Sequence, residues 1–140
     1  MTFFLIDDDQ VFQFVTSKTL KKINPDVKVE KFLDGEQGID RIKNSLDNQK
    51  GLPDVVLLDI NMPFLNGWQF LKEFRSIEEK IEKEVHIYML TSSDDSEDLE
   101  KAKQFSELSG YLIKPVTEDE LEVLIRDFPV KGWYQPNLKL

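Results

Sequence analysis

Residues 55–58 read Val-Val-Leu-Leu, four large apolar side chains in a row, and the run stops at Asp59. Successive side chains of a strand point to opposite faces of the sheet, so a strand that is apolar at every position is buried on both faces. That is the setting of an inner strand in a parallel sheet covered on both sides. Residues 3–6, Phe-Phe-Leu-Ile, repeat the pattern and stop at Asp7-Asp8-Asp9. Residues 85–90 stop at Thr91-Ser92-Ser93, and a short strand at 111–113, preceded by Gly110, stops at Lys114-Pro115. Residues 27–32 alternate with period two instead, which fits a wetter strand at a sheet edge.

Helical periods lie between these runs. Residues 10–23 place Val11, Phe14 and Val15 on one face, and Asn24-Pro25-Asp26 breaks that helix. Residues 36–48 align Ile39, Ile42 and Leu46. Residues 67–81 align Phe70, Leu71, Phe74, Ile77 and Ile81. A weak, acidic helix is expected over 96–106, with Leu99, Ala102 and Phe105 inward. Thr117-Glu118-Asp119-Glu120 matches a capping box and opens a last helix carrying Leu121, Leu124, Ile125 and Phe128. Five strands alternating with five helices predict an α/β, three-layer, five-stranded parallel sheet. Its crossovers are right-handed, and in such sheets ligands bind beyond the carboxyl ends of the strands. The side chains that follow each strand are therefore expected to converge.

Those side chains are Asp7, Asp8 and Asp9 after the first strand, Asp59 after the third, Thr91 and Ser92 after the fourth, and Lys114 after the fifth. Carboxylates held this close repel, and a hard divalent cation with oxygen ligands relieves them. Lys114 and Thr91 add a positive charge and a hydroxyl donor at the same mouth. These are the parts of a phosphoryl-transfer site, where catalysis is mostly positioning and charge neutralisation. The chain has no cysteine and one histidine, His86. Disulfides, thiolate zinc sites and cysteine nucleophiles are excluded, and a His-based triad is disfavoured. An aspartate is then the natural acceptor.

The charge balance narrows the partners. Eighteen Lys+Arg stand against 27 Asp+Glu, a net −9, which gives no electrostatic gain on a phosphate backbone, so no nucleic acid is expected. No apolar run approaches the ~18 residues of a membrane span. The N-terminus has neither a basic leader nor a long apolar run, so the chain reads as cytoplasmic, complete, and without a membrane partner.

These segments resemble the receiver domain of two-component response regulators. The resemblance rests on Leu5-Ile6-Asp7-Asp8-Asp9, on Leu57-Leu58-Asp59-Ile60-Asn61-Met62-Pro63 with Asn66-Gly67, on Leu90-Thr91-Ser92, and on Gly110-Tyr111-Leu112-Ile113-Lys114-Pro115. They stand in the family's order and cover about residues 2–128. The resemblance implies the flavodoxin-like receiver fold with strand order 2-1-3-4-5. It also implies a receiver over 1–128 and a tail over 129–140, with no effector domain. By the same resemblance Asp59 is the phosphoacceptor, and Mg²⁺ (or Mn²⁺) is held by Asp8, Asp59, the Asn61 backbone carbonyl and, through water, Asp7. Thr91 and Lys114 bind the phosphoryl group, Thr91 moves with Tyr111 as the switch, and Pro115 follows a cis peptide.

The expected function is that of a stand-alone receiver that takes a phosphoryl group on Asp59 from a histidine kinase or histidine phosphotransfer protein. It then signals through a switched contact with an unknown downstream protein. The fourth helix, fifth strand and fifth helix form the expected output face, and a homodimer through that face is one option. The chain is not expected to be an enzyme, although it would catalyse its own phosphorylation and dephosphorylation. Alternatives are a receiver-like scaffold that acts without phosphorylation, a phosphorelay intermediate and a phosphate sink. An aspartyl phosphohydrolase usually carries a second acid two residues after the nucleophile, where this chain has Asn61.

Other residues read as structural. Asp9 is a helix cap, His86 is structural or partly exposed, and residues 78–84 and 93–100 are solvated. Tyr111 is open between switch and core aromatic. Trp133 and Tyr134 are open between a partner patch and a tail folded back on the domain.

Overall fold

Each two-sided apolar run becomes an inner strand. The computed structural model describes residues 1–92 and 96–136. Among them are strands β1 (Thr2–Ile6), β2 (Lys28–Phe32), β3 (Val55–Asp59), β4 (His86–Thr91) and β5 (Leu108–Ile113), and helices α1 (Gln10–Ile23), α2 (Gly35–Lys43), α3 (Gly67–Ile77), α4 (Ser96–Lys103) and α5 (Glu118–Arg126). The strands form one sheet in the order β2-β1-β3-β4-β5, parallel throughout. β2 lies at the edge, as its alternating pattern requires.

The register explains why the inner runs are apolar at every position. Phe4, Ile6, Val56, Leu58, Ile87 and Met89 face α2, α3 and α4, where Ile39, Ile42, Phe70, Leu71, Phe74 and Ala102 meet them. Phe3, Leu5, Val55, Leu57, Tyr88, Leu90 and Leu112 face α1 and α5, where Leu20, Leu121 and Leu124 meet them. The same register aligns the strand ends. Ile6 pairs with Phe32 and Leu58, Asp59 with Leu90, and Thr91 with Ile113.

Three helices stop earlier than their apolar periods suggest. α2 ends at Lys43, and a short 3₁₀ turn follows at Gln49–Gly51. Asn44 closes α2 through its backbone amide, and the Asn48 side chain caps the 3₁₀ turn by accepting from the Lys50 amide. α3 ends at Ile77 and tightens into a 3₁₀ turn over Glu78–Lys80, while α4 ends at Lys103. β5 begins at Leu108, so Gly110 lies inside it. Of the expected acidic face at 93–100, Ser93, Asp94 and Asp95 lie outside the described residues, as do residues 137–140 of the tail.

α1 presents an unexpected face to the sheet. Val11, Phe14 and Val15 share one side, and that side is solvent-exposed (73%, 54% and 56%). Gln13, Thr16, Ser17 and Leu20 are buried instead. Two polar anchors set this rotation. The Asp9 carboxylate caps the helix by accepting from the Phe12 amide at 3.0 Å. The Gln13 side-chain amide lies 2.7 Å from Phe32 O, 2.9 Å from Asp7 O and 3.2 Å from Leu5 O. It serves the strand-end carbonyls of β1 and β2, which would be costly to bury unpaired.

The capping box of α5 is present in full. Thr117 Oγ accepts from the Glu120 amide at 3.2 Å, and Glu120 accepts from the Thr117 amide at 3.0 Å. His86 is buried on β4, with Nδ1 3.0 Å from Ser109 Oγ. Among the described residues, no helix is long and apolar enough to cross a membrane.

Candidate functional site

The aligned strand ends bring the expected acids together. Carboxylate oxygens of Asp7, Asp8 and Asp59 lie within 4.8 Å of one another. Asp7 and Asp59 are buried, while Asp8 faces solvent. Asp7 is fixed by its backbone, whose amide donates to Phe32 O at 3.0 Å, and by its side chain, which accepts from the Asp9 amide at 2.9 Å.

Lys114 follows β5 and reaches across the mouth. Its Nζ is 2.5 Å from Asp7 Oδ2 and 4.0 Å from Asp59 Oδ2, and it sits 4.7 Å from the centre of the Phe12 ring. Its backbone amide donates to Thr91 O at 2.7 Å, which locks the ends of β4 and β5 together. The Lys114–Pro115 peptide is cis. Thr91 is buried at the end of β4, one residue past Leu90, the partner of Asp59 in the register. Asn61 is exposed just after β3, and its backbone amide bonds the Asp59 carboxylate. Tyr111 is buried and points into the core shared with α2, α3 and α4.

The electrostatics are those of a site short of positive charge. Burial pushes Asp59 up to about 6, and the charges of Asp7 and Asp8 push the same way, against Lys114 and the Asn61 amide. Burial also raises Asp7, although Lys114 and the Asp9 amide oppose it. Three carboxylates with one ammonium suit a hard divalent cation that accepts oxygen ligands and keeps part of its water shell. The residues present therefore fit Mg²⁺, with Asp8 and Asp59 open to it and Asp7 tied to Lys114.

Two neighbours of the site were not legible in the sequence. Gln13 holds the β1 end that carries Asp7, and Phe12 lies beneath the Lys114 ammonium. A cavity of about 420 Å³ adjoins them, lined mainly by Val11, Phe12, Val15, Pro115 and Val116, with Lys114 and Ser92 at its border. Phe64, in the loop after β3, is 83% exposed and holds a left-handed backbone with φ 67°.

Comparison with known proteins places this arrangement among relatives. The family model for the response regulator receiver domain matches residues 3–126. A two-component response regulator from Cytophaga hutchinsonii has 27% identity and a TM-score of 0.79, covering 90% of this chain and 94% of that one. The chemotaxis protein CheY4 of Vibrio cholerae has 25% identity and a TM-score of 0.70, covering 90% of this chain and 96% of that one. The nitrate/nitrite response regulator protein NarL of Escherichia coli K12 is 33% identical over 121 residues, which are 86% of this chain and 50% of NarL. The chain thus spans about half the length of NarL.

Proposed function

The chain belongs to the response regulator receiver family, and from that premise we propose that Asp59 accepts a phosphoryl group from a phosphohistidine of a kinase or phosphotransfer protein. A carboxylate oxygen of Asp59 forms the new bond to phosphorus as the bond from phosphorus to the imidazole nitrogen breaks. The electron pair leaves with the imidazole, and the product is an acyl phosphate. A carboxylate that titrates near 6 is largely ionised at neutral pH and so is ready to attack.

Lys114 turns from Asp7 to a phosphoryl oxygen, while the Thr91 hydroxyl bonds another. Mg²⁺, held by Asp8, Asp59, the Asn61 carbonyl and, through water, Asp7, would neutralise charge on the transferring group. The observation that carries this reading is the convergence of Asp7, Asp8 and Asp59 at the ends of two strands, with Lys114 Nζ 4.0 Å from Asp59. In this reading the chain is a phosphoacceptor that catalyses its own phosphorylation and dephosphorylation.

The exposed Val11, Phe14 and Val15 of α1 support a protein donor. A contiguous apolar stripe beside the site is a place for a partner helix. The acyl phosphate then biases the packing of Thr91 and Tyr111 against the face formed by α4, β5 and α5, where a downstream protein or a second copy would read it. A cytoplasmic setting agrees with the absence of cysteine.

The test is intact-protein mass after incubation with acetyl phosphate, with Mg²⁺, with chelator, and for Asp59→Asn. A Mg²⁺-dependent gain of one phosphoryl group, lost in the variant, is expected. Labelling that survives in Asp59→Asn would refute the acceptor assignment.

A further inference from the structure

β5 is the last strand of the sheet, and its outer edge is covered by the chain's own C-terminal segment. After α5 the chain turns at Gly132, whose φ of 76° lies in the left-handed region, and comes back alongside β5. Tyr134 forms a parallel bridge to Gly110. Its amide donates to Ser109 O at 3.0 Å, and its carbonyl accepts from the Tyr111 amide at 2.8 Å.

The side chains alternate as those of a strand do. Trp133 packs against the core beneath α2, α3 and α4, and its indole N–H bonds the Gln135 side chain. Tyr134 packs on the opposite side, edge-on to Tyr88 at 6.3 Å between ring centres. Gly110 makes the approach feasible, because a Cβ there would collide with the Tyr134 carbonyl oxygen. Backbone pairing, alternation across the sheet and a glycine at the contact are three separate marks of a fitted sixth strand.

Tail and output face coincide. Tyr111, whose amide the tail holds, sits in the middle of that face. An open edge strand offers unpaired donors and acceptors to any extended chain, including another copy of itself. The flanking helices carry both signs at exposed positions, with Lys103 in the last turn of α4 and Asp119 in the first turn of α5. A face with both signs can pair with itself about a twofold axis.

We propose that residues 133–135 form a cis-docked sixth strand that keeps the β5 edge closed, so that this face engages a second copy of the chain only when the tail is displaced. This rests on reading the α4, β5 and α5 face as the output surface. Whatever holds the tail opposes pairing, and pairing opposes the tail, because both use the Tyr111 amide and the Ser109 carbonyl.

The experiment uses the full chain. Amide exchange at Tyr111 reports docking, and sedimentation velocity reports association, in the native protein, in Tyr134→Pro and in the double variant Trp133→Ala with Tyr134→Ala. The native protein should be a monomer with a protected Tyr111 amide. In dilute solution, where the chains are monomeric, both variants should lose protection there at least roughly tenfold and keep it at Leu90, and both should associate as concentration rises. Equal Tyr111 exchange in native and variant proteins would overturn the docked strand. Lost protection without association would overturn the gate. A native dimer with Tyr111 protected would mean that the tails are exchanged between copies, which overturns docking in cis. Acetyl-phosphate labelling of the same samples reports the receiver reading separately, since no variant touches the acidic site.

Discussion

Replacing Asp59 by Asn removes a carboxylate whose ionisation the fold opposes. Its ordinary value is 3.8, and in the folded chain it rises to about 6 through burial and the neighbouring Asp7 and Asp8. At ~1.36 kcal/mol per pH unit, that difference costs the metal-free native state ~3 kcal/mol once the group is charged. The sign follows from proton binding. Between about pH 4 and pH 6 the folded form holds the Asp59 proton more tightly than the unfolded form, so stability falls as pH rises through that window and then levels off. Asn carries no such cost. The attraction of Lys114 is already contained in that net shift, so the expected gain at pH 7.5 is the whole ~3 kcal/mol. For a chain of this size that corresponds to a Tm roughly 10 °C above the native protein. The assay is thermal unfolding in chelator at pH 4 and at pH 7.5. The gap should be near zero at the lower pH and full at the higher, and Mg²⁺ should narrow it by stabilising the native protein more than the variant. A variant less stable than the native protein at pH 7.5, or a gap of equal size at both pH values, would refute the electrostatic argument.

Other substitutions probe single contacts. Asp8→Ala should weaken Mg²⁺ binding far more than Asp9→Ala in a calorimetric titration, whereas Asp9→Ala should cost ~1 kcal/mol of stability through the lost α1 cap. Gln13→Leu removes a buried side-chain amide from the strand-end carbonyls of β1 and β2, of which Phe32 O keeps the Asp7 amide, and should lower stability by roughly 1 kcal/mol in urea unfolding. Thr117→Ala removes half of the α5 capping box and should cost ~1 kcal/mol in the same assay. Lys114→Ala should leave Mg²⁺ bound but impair signalling through the output face, read as loss of any phosphorylation-dependent change in amide exchange along β5.

The inner strands were legible because burial on two sides leaves no position for a polar residue, as residues 55–58 and 3–6 show. The acidic cluster was legible for a related reason: side chains placed just beyond aligned strand ends must meet. The orientation of α1 was not. Its apolar side chains stand on one face, but the helix is turned by Gln13, whose acceptors are backbone carbonyls from two strands. Backbone groups carry no signature in the sequence, so neither the inward glutamine nor the exposed Val11, Phe14 and Val15 could be read in advance. The first half of β5 was hidden likewise. Ser109 and Gly110 lack the apolar signal of a strand: Ser109 Oγ meets His86 on β4, and Gly110 leaves room for the returning Tyr134.

The strict alternation along β1, β3 and β4 makes the sheet a partition between two separately packed compartments. Val56 and Phe74 lie on one side, and Leu57 and Leu124 on the other. A volume change at Val56 can be absorbed by Phe74 without disturbing Leu124, while neighbours within a compartment must change together. The two layers are thus free to diverge at different rates. The helices on one side can be remodelled for new partners while the side that seats α1 and α5 keeps its packing.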